Sequence, residues 1–171
     1  MVGIFPETCT DAAAALLAAC ARRGLRLATA ESCTGGLIAG CLTEIAGSSA
    51  VVDRGYVAYD DRAKVEMLGV REAMLAAHGA VSEAVAREMA AGALARSGCA
   101  LAVAVTGIAG PGGGSAEKPV GLVHLAAARR DGEVRHRRQV FPGDRAEVRL
   151  ATVGAALALA LELVEPGEVP P

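Results

Sequence analysis

Leu25-Arg26-Leu27-Ala28-Thr29-Ala30-Glu31-Ser32-Cys33-Thr34-Gly35-Gly36 changes character twice in twelve residues. An apolar run from Leu25 to Ala30 gives way to small polar residues, and Leu37, Ile38, Cys41, Leu42 and Ile45 then recur at helical spacing. The stretch reads as a strand ending in a tight turn that opens a helix. Two glycines let a backbone approach a bound group, and the free N–H groups of a helix start receive negative oxygens. Ser32 and Cys33 sit at that mouth, so a nucleophile and an oxyanion site would share one loop.

Outward from this turn, the chain alternates helices and strands. Asp11 to Arg22 is an alanine-rich helix with Thr8, Thr10 or Asp11 as its cap and Gly24 as its stop. Val51 to Tyr59 is a strand, and Asp60 or Asp61 caps a short helix that carries Lys64 and ends near Gly69. Glu72 to His78 forms another turn or two of helix. Ser82 caps a longer one reaching Ser97, with Val85, Met89, Ala93 and Leu94 inward. Leu101 to Val105 is a continuous apolar run, the mark of a strand covered on both faces, and Thr106 to Ser115 follows as a glycine-rich loop. Val120 to Ala128 and Glu133 to Phe141 flank the hairpin signal Asp131-Gly132. Asp144 and Glu147 have capping-box spacing at the head of a last helix running to about Leu163, and Pro166 to Pro171 is a frayed tail. The expected fold is α/β: a three-layer α/β/α sandwich on a five-stranded mixed sheet, one domain over residues 1–171 with its core at about 8–163.

Composition narrows the function. With 53% apolar and 21% charged residues the chain is far from a disordered signature. Two Phe, two Tyr and no Trp give no stacking platform for single-stranded nucleic acid, and a net charge of -2 gives no general pull toward nucleic acid or an anionic membrane. The five arginines of the 120–141 hairpin read as a solvated edge. Five cysteines without a CxxC pair argue against a disulfide framework and a zinc site, and His78, His124 and His136 share no metal spacing. No metal and no cofactor are expected. The unpaired cysteine set fits a reducing cytoplasm, and the amino-terminal residues lack a basic region ahead of a long apolar stretch, so an unexported protein is expected.

Ser32 with Lys64 is the pairing that chemistry singles out, because a serine hydroxyl attacks a carbonyl only when a base removes its proton. Tyr59, five residues before Lys64, either relays a proton or holds the lysine. The structural alternative makes Ser32 a helix cap, Lys64 a solvated residue and Tyr59 a strand aromatic. Cys33 is a rival nucleophile in a set with Glu31 and Lys64. The glycine loop lies where open α/β sheets place their ligand crevices, although it lacks the P-loop and dinucleotide fingerprints. Arg145, beside a helix start, offers a forked donor for phosphate or carboxylate.

Taken together, Ala30 to Gly36, Tyr59 with Lys64 and Leu68-Gly69-Val70, Val81-Ser82, Thr106 to Gly113, Lys118-Pro119-Val120-Gly121 and Phe141 to Arg145 resemble the CinA C-terminal domain family, in matching order from about Thr8 to Leu163. The family's stand-alone members are nicotinamide-nucleotide amidases. The resemblance implies a metal-free serine amidase that converts nicotinamide mononucleotide to nicotinic acid mononucleotide and ammonia. Ser32 would be its nucleophile, Lys64 its base and Tyr59 an assisting group. It further implies a substrate pocket from Ala30, Cys33, Thr34, Gly35, Gly47, Ser48, Thr106, Gly107, Gly110, Pro111, Gly112, Gly113 and Arg145, and a homodimer. Asp60-Asp61 stand where the family often has Ser-Asn. Two alternatives on the same fold are a non-catalytic nucleotide-binding module and a protein-interaction subunit.

Overall fold

A computed structural model describes residues 3–165; the carboxy-terminal Pro166–Pro171 stretch lies outside them. Helix α1 spans Glu7–Arg22, β1 Leu27–Glu31, α2 Leu37–Thr43, β2 Val52–Val57, α3 Asp61–Leu68, α4 Glu72–His78, α5 Glu83–Ser97, β3 Leu101–Gly107, β4 Leu122–Arg129, β5 Val134–Val140 and α6 Arg145–Val164. The strands form one mixed sheet in the order β2-β1-β3-β4-β5. β1 runs parallel to both β2 and β3, and the hairpin adds β4 and β5 antiparallel.

Period-two alternation in the strands builds two unequal layers. Leu27, Leu101, Val103, Val105, Val123 and Leu125 face α1, α2 and α6 in one apolar cluster. Ala28, Ala30, Ala102, Ala104, Ala126 and Ala128 face the other way, against α3 and α5. A methyl-lined face lets α5 settle close to the sheet, and its own Ala86, Ala90 and Ala93 match that spacing. The approach between helices there is closer still. A Cβ at Gly92 of α5 would fall 1.9 Å from the carbonyl oxygen of Leu68 at the end of α3.

Most local signals read from the sequence hold. Asp60 accepts from Arg62 N (2.9 Å) as the cap of α3, Ser82 accepts from Val85 N (3.3 Å) as the cap of α5, and Asp144 with Glu147 closes a capping box on α6. The start of α1 is a correction. None of Thr8, Thr10 and Asp11 caps it; the helix begins at Glu7 after Pro6, whose fixed φ suits a helix entry, and the Thr10 hydroxyl instead donates to Glu7 O (2.9 Å). The glycine loop also starts later than its composition suggests. Thr106 and Gly107 are strand residues paired with His124 and Val123, and a Cβ at Gly107 would lie 2.7 Å from Leu122 O.

The chain passes from β1 to β2 on one side and returns through α3, α4 and α5 to β3 on the other. The carboxyl ends of β1 and β3 therefore border the crevice that such a reversal of strand order opens.

Candidate active site

At the end of β1, alternate side chains take opposite faces. Glu31 turns toward α2, and Ser32 turns toward α3. Glu31 is fully buried and its carboxylate accepts five hydrogen bonds: from Thr29 Oγ1 (3.1 Å) and Ala39 N (2.9 Å) on Oε1, and from Thr34 Oγ1 (2.7 Å), Gly36 N (3.1 Å) and Ile38 N (2.9 Å) on Oε2. The start of α2 is thereby closed by the chain's own anion, which corrects the expectation that its free N–H groups would receive a substrate oxygen. It also separates Glu31 from the rival Cys-Glu-Lys set, since both carboxylate oxygens are occupied on the far face. Among the described residues, the N–H groups of this turn that donate to no oxygen are those of Cys33 and Thr34, whose neighbour is the weakly accepting Cys33 thiol. Ser32 N donates to Val105 O and Gly35 N to Ser32 O, both at 3.1 Å.

Lys64 is 1% exposed, on the fourth residue of α3. Its Nζ donates to Tyr59 O (2.8 Å) and to Asp61 Oδ1 (3.3 Å). Tyr59 thus holds the lysine through its backbone carbonyl; its phenol, on a residue 59% exposed, accepts from Arg145 Nη2 (3.2 Å). Of the two neighbouring carboxylates, Asp61 reaches the amine while Asp60 is engaged in capping. Arg145 also donates through Nη1 to Gly110 O (2.8 Å), which ties the glycine loop to the head of α6. Thr106 donates to Ala80 O (2.9 Å).

Ser32 and Lys64 line one cleft of about 280 Å³ together with Cys33, Tyr59, Asp61, Ala80, Val81, Thr106, Gly107, Ile108, Ala109, Gly112, Gly113 and Arg145. The two groups share the cleft without a direct hydrogen bond between them. Other residues named from the sequence lie elsewhere. Ala30 is buried in the sheet, Thr34 is turned to Glu31, and Gly35 packs near Arg149. Gly47 and Ser48 line a separate depression against Ala14 and Leu17 of α1, and Pro111 lines another with Gly143 and Arg149. Gly47 and Ser48 belong to the connection that leads back from α2 to the amino end of β2, opposite the cleft. Ile108 and Ala109 reach the cleft wall as part of the glycine loop and Asp61 as a neighbour of Lys64, whereas sequence reading missed Ala80 and Val81 there. It also missed Arg149, whose Nε donates to Cys33 O (3.2 Å) and whose Nη2 donates to Thr34 O (3.0 Å).

Cys33 is weakened as a nucleophile by its setting. Burial pushes its thiol up to about 11 against the pull of the Cys33 and Thr34 N–H groups on the sulfur, and Glu31 adds to the rise, so the reactive thiolate is scarce at neutral pH. Next to Thr106, His124 and His136 stack with ring centres 5.2 Å apart and Nδ1 to Nε2 at 3.0 Å. Burial, then the neighbouring His136, lowers His124 to about 4. Among the described residues, no group of three or more His, Cys, Asp or Glu is placed to hold a metal ion, and no helix is long and apolar enough to cross a membrane.

A sequence model of the CinA C-terminal domain matches residues 9–164, nearly the whole described chain. The chain belongs to the CinA C-terminal domain family. Within it, the chain is 54% identical over 144 residues to the nicotinamide-nucleotide amidohydrolase PncC of Enterobacter agglomerans, a match covering 84% of this chain and 88% of that protein. It is 56% identical over 138 residues to a CinA-like protein of Akkermansia muciniphila, covering 81% of this chain. The chain spans about a third of the length of that CinA-like relative, where the match covers 33%. Among solved structures, the competence/damage inducible protein CihA of Agrobacterium tumefaciens superposes with a TM-score of 0.94 at 55% identity, covering 96% of this chain and 100% of that one. The mixed sheet with helices on both faces is thus the CinA architecture.

Proposed function

We propose that this chain hydrolyses the carboxamide of nicotinamide mononucleotide to the carboxylate and ammonia through an acyl-enzyme on Ser32. The observation that carries the reading is that Ser32 and the buried Lys64 line one cleft, with Cys33 beside them on its wall. The name of the PncC relative, 88% of whose length is matched, supplies the substrate class.

In the first half-reaction, Lys64 as the free amine takes the Ser32 proton while Oγ adds to the carboxamide carbon. The oxygen that becomes negative lies against the N–H groups of Cys33 and Thr34, fixed donors that need no reorganisation as charge develops. The tetrahedral adduct collapses by breaking the C–N bond, and the proton held by Lys64 goes to the departing nitrogen, which leaves as ammonia. A water molecule gives its proton to Lys64, adds to the ester carbon, and releases the carboxylate and the Ser32 hydroxyl. Tyr59 O and Asp61 hold Nζ in place through both halves. Asp61 at the cleft suits a cationic pyridinium, and the guanidinium of Arg145 suits the phosphate at the other sign of charge.

Purified protein incubated with nicotinamide mononucleotide is expected to release ammonia and nicotinic acid mononucleotide in equal amounts, with Ser32→Ala reduced at least about 10³-fold. Absence of ammonia from the intact protein would reject the amidase.

A further inference from the structure

We infer that Arg149 is a positioning residue that aims the oxyanion donors beside Ser32. Resting on the acyl-transfer reading above, this inference deepens it by assigning a role to a side chain that does not line the cleft.

Arg149 stands one helical turn after Arg145 on α6 and is half-buried. Its guanidinium forks onto two successive carbonyls, Cys33 O and Thr34 O, more than a hundred residues away in sequence. A trans peptide points its N–H opposite to its C=O. Pulling Cys33 O toward α6 therefore directs Thr34 N–H away from α6. The next peptide is fixed in the same way: Thr34 O goes to Arg149 while its Gly35 N–H donates to Ser32 O. With Ser32 O so engaged, Cys33 N–H is turned opposite to it. The two N–H groups left without an oxygen acceptor, with only the weak Cys33 sulfur beside them, are the ones these peptide orientations set. A guanidinium on the carbonyl also polarises the same amide and makes its N–H a stronger donor.

A rival role is distinguishable. Arg149 borders a depression with Arg145, Gly143, Asp144 and Pro111, where a substrate phosphate would meet two guanidinium groups. Loss of a phosphate contact raises KM, whereas loss of donor alignment lowers kcat.

The test compares the full chain with Arg149→Gln and Arg149→Lys by two measurements. The first is steady-state hydrolysis of nicotinamide mononucleotide. The second is the rate at which a fluorophosphonate labels Ser32, a step in which the Oγ–P bond forms, fluoride leaves and Lys64 accepts the proton. Alignment predicts kcat down about 10²-fold in Arg149→Gln with KM within about twofold, and labelling slowed in parallel. Arg149→Lys keeps the charge and the stem, so it serves if Arg149→Gln does not fold. One ammonium cannot hold both carbonyls in the forked geometry, and about a tenfold loss is expected. Wild-type kcat and labelling rates in Arg149→Lys or Arg149→Gln, or a change confined to KM, overturns the inference. If wild type is labelled at Ser32 but yields no ammonia, the amidase reading falls while slower labelling in the variants still supports Arg149. If wild type is not labelled, both fall.

Discussion

Replacing Glu31 by glutamine changes one atom in a fully buried side chain, and the hydrogen-bond pattern fixes what it costs. The three donors on Oε2, from Thr34 Oγ1, Gly36 N and Ile38 N, claim the remaining amide oxygen. The new NH₂ then faces Thr29 Oγ1 and Ala39 N. The threonine hydroxyl can turn and accept. The Ala39 N–H cannot, so a buried donor is left facing another donor, at about 1–3 kcal/mol. The surviving bonds lose their charge-assisted strength as well, and the start of α2 loses its anion, which together bring the loss to about 3–4 kcal/mol. That is a large part of the 5–15 kcal/mol typical of a domain. Urea unfolding measures it: with m of about 2 kcal/mol/M, the midpoint should fall by about 1.5 M at unchanged m. Amide exchange should quicken first at Ile38 and Ala39. A midpoint shift under about 0.3 M would refute the view that Glu31 closes the α2 start and supports the Ser32 turn.

Cys33→Ala should keep wild-type kcat within about threefold, and thiol alkylation at pH 7.5 should be slow, because burial holds the thiol protonated; loss of activity on either treatment would reinstate the cysteine. Gly92→Ala drives a methyl into Leu68 O and should lower Tm by about 6–12 °C, from about 3 kcal/mol of overpacking read by calorimetry; an unchanged Tm would mean that α3 and α5 are not so close. The His pair gives a pH signature. Below about pH 6.5 the unfolded chain protonates His124, while the folded chain does so only near 4, so stability falls as pH drops across that window by about 3 kcal/mol in total. The difference between wild-type and His124→Asn stability curves should carry this slope, and parallel curves would contradict it.

What was legible in the sequence was whatever depends on neighbours along the chain. Asp60, Ser82 and Asp144 each cap the helix that follows within a few residues, and the apolar run at Leu101 makes a strand covered on both faces. Ser32 and Lys64 could be paired on residue type, and the parallel β1 and β2 bring the turns after both strands to the same end of the sheet. Gly47 and Ser48 were expected at the site, yet a connection from helix back to strand returns to the opposite end, and they line a separate depression against α1. Glu31 carried a readable signal in its alternation with Leu27 and Thr29, which puts it on the α2 face, away from Ser32. Arg149 had none but its place one turn after Arg145, because its partners are Cys33 and Thr34 and only the folded α6 brings them together.

The central claim is that the reaction passes through Ser32. Acid quenching during turnover of nicotinamide mononucleotide, followed by peptide mass analysis, should find the segment containing Ser32 carrying one nicotinoyl nucleotide, absent from Ser32→Ala. Ammonia release with that group found instead on Cys33, or with Ser32→Ala turning over at the wild-type rate, would contradict the account.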